Sequence, residues 1–271
     1  MTAHVGLAGP GTTASAAPAN RNLVFTSAGD RASLDRWLVG RRNFDLFVCY
    51  YGDETDRYRD VADRWWARKG SKFVNFHHLW RSEPGLLAPY DAVMVLDDDI
   101  LIDGDSLSRL FDLREQHHLT VLQPSFSESS KLSHPITARR EGYAMRFTEF
   151  VEMNCPLFRR TSLESFLAEY DPEVIGYGID YWYMNVLYRE PDFRCAIVDD
   201  VPCVNPHEQT KGGVREIDRL QSEDERRTRW ETVQRARGIA DVDTARVLGW
   251  IKLPLHRRIG ARMRRLFSSR P

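Results

Sequence analysis

The 271-residue sequence is short of cysteine, of excess charge and of long apolar runs, and each shortage excludes a class of protein. Its four cysteines, Cys49, Cys155, Cys195 and Cys203, sit in apolar surroundings without Cys-x-x-Cys spacing. That argues for buried thiols and against a disulfide framework or a zinc site. Lys plus Arg number 38 and Asp plus Glu 39, a net charge of −1, so the chain lacks the basic footprint of a nucleic-acid-binding protein. Apolar stretches such as Ala92 to Leu96 stop far short of the ~20 residues that span a bilayer. No transmembrane helix is expected. Residues 1–21, rich in Gly, Ala, Thr and Pro, lack the charged start and apolar centre of a signal peptide; they read as a flexible leader on a cytoplasmic protein. What the chain does have is apolar material for a sizeable core, 42% hydrophobic with 11% aromatic residues.

From Asn22 onward, apolar runs end in polar turns. Leu23, Val24 and Phe25 lead into Thr26, Ser27, Ala28, Gly29 and Asp30; Asp45 to Tyr51 ends at Gly52 and Asp53; Ala92 to Leu96 runs into three aspartates. Leu34, Trp37 and Leu38 have helical spacing, Val61, Trp65 and Trp66 suggest another helix, and Lys72 to Phe76 a strand. This alternation predicts an α/β fold with a mostly parallel sheet, helices on both faces and a ligand site at the carboxyl edge of the strands. Further on, Leu107 to Leu113 suits a helix, Thr120 to Gln123 a strand, Ser125 to Tyr143 a long polar loop, Met145 to Cys155 an extended segment and Ser162 to Tyr170 a helix. Ile179, Trp182, Tyr183, Val186 and Leu187 fall on one helical face, entered through Gly176 and Gly178. Cys195 to Val198 reads as a last strand, and residues 213–240 as a charged surface helix.

Three places carry chemistry. In an extended chain Asp97 and Asp99 project to one side and Asp98 to the other. At ~4 Å and an effective dielectric near 20, two such carboxylates repel by about 4 kcal/mol, which a shared divalent cation relieves. Manganese or magnesium suits these oxygen ligands, although acidic turns and helix caps share the pattern. His207 follows the last strand; if that strand lay beside the one from Ala92, it would deliver an imidazole near Asp99. Asp180 opens a helix whose positive end favours the ionised carboxylate, as a proton acceptor or a plain first-turn Asp. Gly176 and Gly178 would let the backbone pass close to a ligand. His77-His78 and His117-His118 have no acidic partner at ligand spacing.

Together these residues resemble the GT-A type of nucleotide-sugar glycosyltransferase. The runs Phe150-Val151-Glu152-Met153-Asn154-Cys155-Pro156-Leu157-Phe158-Arg159-Arg160, Gly176-Tyr177-Gly178-Ile179-Asp180, Ile197-Val198-Asp199-Asp200 and Ser133-His134-Pro135-Ile136-Thr137 are similar to a plant and bacterial group catalogued as domain of unknown function 707. The resemblance covers about Asn22 to Gly213. It implies a single GT-A-like domain over residues 22–212 that moves a sugar from a nucleoside diphosphate sugar, a UDP-sugar first, to a glycan or other hydroxyl. By the same resemblance Asp99 would bind the metal directly, Asp97 would face it or the ribose, and His207 would complete the set. Asp180 would bind or deprotonate the acceptor, and Glu152 and Gly178 would line the acceptor or sugar pocket. Thr26, Ser27, Ala28, Asp53 and Asp98 would contact the nucleotide. The sequence departs from the group at Asp98, often Glu there, and around Asn205-Pro206.

Two other readings use the same residues. Asp97-x-Asp99 also resembles the nucleophile strand of haloacid-dehalogenase-type phosphatases, with Asp199-Asp200 as a later acidic pair, but Leu101 stands where Thr or Val is expected and several strands precede the motif. Alternatively, the aspartates hold a structural cation in a non-catalytic nucleotide- or sugar-binding module. In the tail, residues 241–271, Ile259, Met263, Leu266 and Phe267 share one helical face and the arginines from Arg257 to Arg265 the other. Such a segment suits peripheral attachment to an anionic membrane.

Overall fold

A computed structural model describes residues 18–207 and 216–255. Nine strands form one sheet: β1 (Asn22–Ala28), β2 (Asp45–Tyr50), β3 (Arg64–Ala67), β4 (Ala92–Val95), β5 (Val121–Phe126), β6 (Tyr143–Thr148), β7 (Leu157–Arg159), β8 (Cys195–Cys203) and β9 (Val247–Lys252), in the order β3-β2-β1-β4-β7-β5-β8-β6-β9. The pairings β3-β2, β2-β1, β1-β4 and β5-β8 are parallel; β6 and β7 run against all the others. The helices are α1 (Leu34–Trp37), α2 (Lys72–Ser82), α3 (Gly104–Gln116), α4 (Arg160–Glu169), α5 (Ile179–Leu187), α6 (Glu216–Leu220) and α7 (Glu223–Arg237).

Alternation along the strands explains the layers. Leu23 and Phe25 enter one core with side chains of α2, α4, α5 and α7, while Val24 and Ala28 enter the other with those of α1 and α3. Both faces of the sheet are thus dry, which is why β1, β2 and β4 read as unbroken apolar runs. The first core is aromatic: Phe73, Phe166, Tyr170, Trp182 and Tyr183 meet edge-on or tilted at centroid distances of 5.3–6.4 Å. All four cysteines are free and buried. Among the described residues no helix is long and apolar enough to cross a membrane.

Several local expectations are overturned. The segment holding Trp65 and Trp66 is strand β3, because the two neighbouring rings pack against opposite cores, as period-two side chains do. Lys72 to Phe76 opens helix α2, whose Lys72, Phe73, Phe76 and Leu79 bury one face. Five residues were too short a window to show that period. Strands β4 and β8 are not neighbours; β7 and β5 lie between them. The charged segment is two helices, parted at a capping box in which Ser222 and Glu225 satisfy each other's backbone N–H. It is not purely a surface element, since Arg226, Trp230 and Val233 are buried. Within the tail, Val247 to Lys252 forms edge strand β9 against β6. The stretch proposed as an amphipathic helix lies outside the described residues.

Candidate active site

Strand β4 ends at Val95, so Asp97, Asp98 and Asp99 stand in a turn and strand alternation no longer sorts them. Each takes its own role. Asp97 N–H donates to the Asn154 carbonyl at 2.8 Å, and its carboxylate lies 2.8 Å from the Lys72 ammonium. Lys72 is buried at the first turn of α2 and also donates to the carbonyls of Val95, Met153 and Asn154 at 3.1, 2.6 and 3.1 Å. A single cation thereby ties the end of β4 to the segment before β7. Asp98 accepts from Gly29 N–H at 2.8 Å and from Tyr51 O–H at 3.3 Å, closing the β1 turn onto the β4 turn. Burial, and then the neighbouring Asp99 charge, push Asp98 up to about 7.

These turns form one end of an open cavity of about 1100 Å³ at the carboxyl edge of the sheet. Asp30 lines that end and accepts from Tyr50 O–H and from Asp53 N–H at 3.1 Å; the Tyr50 hydrogen bond holds it below the usual carboxylate range. Asp53 is exposed and paired with Lys69 at 2.7 Å. At the other end Asp180 sits in the first turn of α5, accepting Tyr181 N–H at 3.0 Å. Helix-end amides favour its ionised form, as the sequence suggested, but burial outweighs them and lifts it to about 6. Glu152 is 1% exposed; Oε1 accepts from Asn154 Nδ2 at 2.7 Å, and Oε2 has no hydrogen-bond partner among the described residues. Burial first, then Asp180 and Asp97, push Glu152 up to about 8.

Of the residues proposed from sequence, Ser27, Asp53, Asp97, Asp98, Asp99, Glu152, Gly178 and Asp180 line the cavity. Thr26 and Ala28 do not: alternation turns them to the face of Val24, away from it. His207 is exposed and outside the lining, although its neighbours Asn205 and Pro206 are in it. That segment reaches the β4 turn through a two-way backbone bridge between Leu101 and Val204, at 2.9 and 3.1 Å, not through strand adjacency. The space at the two glycines is filled by protein rather than ligand. A Cβ on Gly176 would meet Ile217 at 2.6 Å, and one on Gly178 would enter the Trp230 ring. The oxygen donors of Asp97 and Asp99 suit a hard cation, yet among the described residues no three His, Cys, Asp or Glu side chains are grouped to hold one.

The fold resembles a solved one. It superposes on the crystal structure of S. aureus TarS with a TM-score of 0.50 at 11% identity, over 79% of this chain and 43% of that one. TarS 1-349 in complex with UDP aligns with a TM-score of 0.47 at 10% identity over 81% and 74% of the two chains, and its UDP-GlcNAc complex with 0.45 at 10% over 82% and 73%. No protein-family model and no curated protein matches the chain. The likeness is one of fold: a single α/β domain around a mixed sheet.

Among the cavity residues that sequence reasoning missed, three bear on the site's chemistry. Lys72 was hidden by the strand assignment, and Asp30 by attention to the residues just before it. His134 lay in a loop with no period to place it, although its Nε2 stands 3.9 Å from Asp180 Oδ2.

Proposed function

We propose that this chain is a glycosyltransferase that moves a sugar from a nucleoside diphosphate sugar to a hydroxyl of a glycan or similar acceptor. The observation that carries the reading is the cavity itself. Turns after β1, β2 and β4 lie at one end, suited to a nucleotide, and a buried carboxylate with a proton affinity near neutrality lies at the other, suited to a hydroxyl. In the reaction the acceptor oxygen attacks the anomeric carbon as the diphosphate departs. Asp180 receives the acceptor's proton, and Glu152 lines the space for the transferred sugar or acceptor. Ser27, Asp30, Asp53 and Asp98 bound the nucleotide end. A phosphatase reading would make Asp97 the nucleophile, but strands β1, β2 and β3 precede the strand that carries it, whereas that motif normally opens the fold.

Nine carboxyl groups and six Lys or Arg side chains line the cavity, and with Glu152 protonated the negative charges still outnumber the positive before a diphosphate adds to them. This favours a bound divalent cation, manganese or magnesium, with Asp99, Asp97 and His207 as its proposed ligands; its chemistry would be neutralisation of the diphosphate. As arranged, the three side chains do not form a ready set, so no step is routed through the ion.

Thermal-shift measurements on the full chain test the reading, with UDP and UDP-GlcNAc as first probes because TarS has been solved with both. Stabilisation by either, strengthened by manganese and lost in Asp99→Ala, is expected. If no nucleoside diphosphate moves the midpoint with or without metal, the reading fails.

Edge strand β9 supports the proposed peripheral membrane contact. Leu248, Trp250 and, just beyond the strand, Leu255 are 55%, 56% and 68% exposed, next to Lys252 and ahead of the basic tail. Co-sedimentation with anionic vesicles should weaken in salt and in Trp250→Ser; equal pelleting with neutral vesicles would remove this contact from the proposal.

A further inference from the structure

The Ser133 to Thr137 motif has no part in the reaction as described, yet its histidine stands at the acceptor end of the cavity. His134 Nε2 lies 3.9 Å from Asp180 Oδ2, with side chains 18% and 9% exposed. Phe150 packs against the imidazole at a centroid distance of 4.6 Å, and Tyr181 approaches it edge-on at 6.3 Å. The loop carrying His134 has only one short 3-10 turn, Pro135–Thr137, so other groups must hold it. Arg146 of β6 does so: it binds Asp199 through two N–H groups at 2.7 and 3.0 Å and donates to the carbonyls of Ile136 and Ala138 at 2.9 and 2.8 Å. This clamp is buried, with side chains 4% and 0% exposed. Thr137 Oγ1 also donates to the His134 carbonyl at 2.8 Å.

We propose that His134 and Asp180 act as one unit that seats the acceptor hydroxyl between Nε2 and Oδ2 and receives its proton. The hydroxyl's role rests on the transfer reading above. Two hydrogen bonds of ~2.8 Å meeting at one oxygen at roughly 90° span the observed 3.9 Å, so a hydroxyl fits without moving either group. In the step, the acceptor oxygen bonds to the anomeric carbon of the donor. The bond from that carbon to the diphosphate oxygen breaks with its electron pair leaving on the diphosphate, and the hydroxyl proton passes to the pair. Burial holds His134 below its ordinary imidazole value and sets Asp180 at about 6, so above pH 7 the pair enters the step as neutral imidazole and carboxylate. A proton on Nε2 is stabilised by the adjacent carboxylate; a proton on Oδ2 removes a negative charge from a crowded site. The groups near the pair are Glu152 from the segment after β6 and Tyr181 and Tyr183 from α5, while Lys131 from the loop and Asp97 act on Glu152. Glu152, pushed up to about 8, keeps its proton at pH 7 and does not compete as a base.

Proton NMR of the full chain between pH 4.5 and 8 tests the pair, with His134 assigned by its absence from His134→Gln. Asp180→Asn should lower the His134 midpoint by roughly half a pH unit or more, because an ionised carboxylate nearby favours imidazolium. Asp180→Ser serves the same purpose should the Asn variant unfold. An unchanged midpoint overturns the proposal whatever the activity. In the kinetic arm, His134→Gln should lower kcat on the order of 10²-fold at unchanged donor Kd, and the double variant should be no slower than the slower single one, as for groups acting as a unit. Near-normal kcat in His134→Gln, or fully additive losses, overturn it as well. A shifted midpoint in a chain that binds no nucleoside diphosphate supports the proton-sharing pair while removing the transfer reading.

Discussion

The two ends of the cavity, the one proposed for the nucleotide and the one proposed for the acceptor, are assembled in different ways. At the first, the polar groups follow directly on neighbouring parallel strands, and short bonds between adjacent turns hold them, such as Gly29 N–H to Asp98 and Asp53 N–H to Asp30. At the second, Glu152, His134 and Asp180 come from three segments that share no strand ladder. They are brought together by a buried clamp at Arg146, by Lys72 and by the packing of α5 under α7. The first end is set by local chain geometry and the second by burial. Among the cavity carboxylates only Asp30, at the first end, is held down by its hydrogen bonds; Asp98 beside it is pushed up by burial, as Glu152 and Asp180 are at the second end.

Lys72 links the two ends, so its removal should have the largest effect. Lys72→Met leaves the carbonyls of Val95, Met153 and Asn154 and the Asp97 carboxylate without their shared donor, and should cost about 4 kcal/mol in urea unfolding. Wild-type stability in this variant would show that the ends stand independently. Glu152→Gln sharpens the contrast through pH. The folded value, about 8, lies above the ordinary 4.5, so Glu152 costs the protein stability as pH rises from about 4.5 to about 8. The Gln variant should be level with wild type near pH 4 and about 3 kcal/mol more stable near pH 7. Parallel stability curves for the two proteins would contradict the buried, ligand-facing position of Glu152. Smaller still is the difference between two glycines. Gly178→Ala forces a positive-φ residue against Trp230 and should cost about 2 kcal/mol. Gly29→Ala meets only the edge of the Tyr51 ring, at 2.9 Å, and should cost about 1 kcal/mol. Equal losses in chemical denaturation would mean that α7 does not pack on the acceptor end more tightly than Tyr51 packs on the nucleotide end.

The nucleotide end was legible because its strands announce themselves. The apolar runs at Leu23, Leu46 and Val93, each followed by Gly or Asp, gave the parallel order of β1, β2 and β4 its edge and placed Asp97, Asp98 and Asp99 on it. Thr26 and Ala28 fall outside the cavity lining because they share the face of Val24 within the strand. Asp180 was legible too, from the helical period that begins beside it. His134 and Lys72 were not, because neither a long polar loop nor a five-residue apolar window has a period from which a partner can be read.

The sequence alone determined the alternation of strand and helix, the dry two-faced sheet and the carboxylates at its edge, because each follows from side-chain period and from the turn residues that end an apolar run. Tertiary structure alone decided which carboxylates keep their protons. It also decided that Lys72 would span the two ends, that Ile217 and Trp230 would fill the space at Gly176 and Gly178, and that His134 would face Asp180. Proton affinity depends on the water a group loses and the charges it gains, and both are contributed by residues distant along the chain.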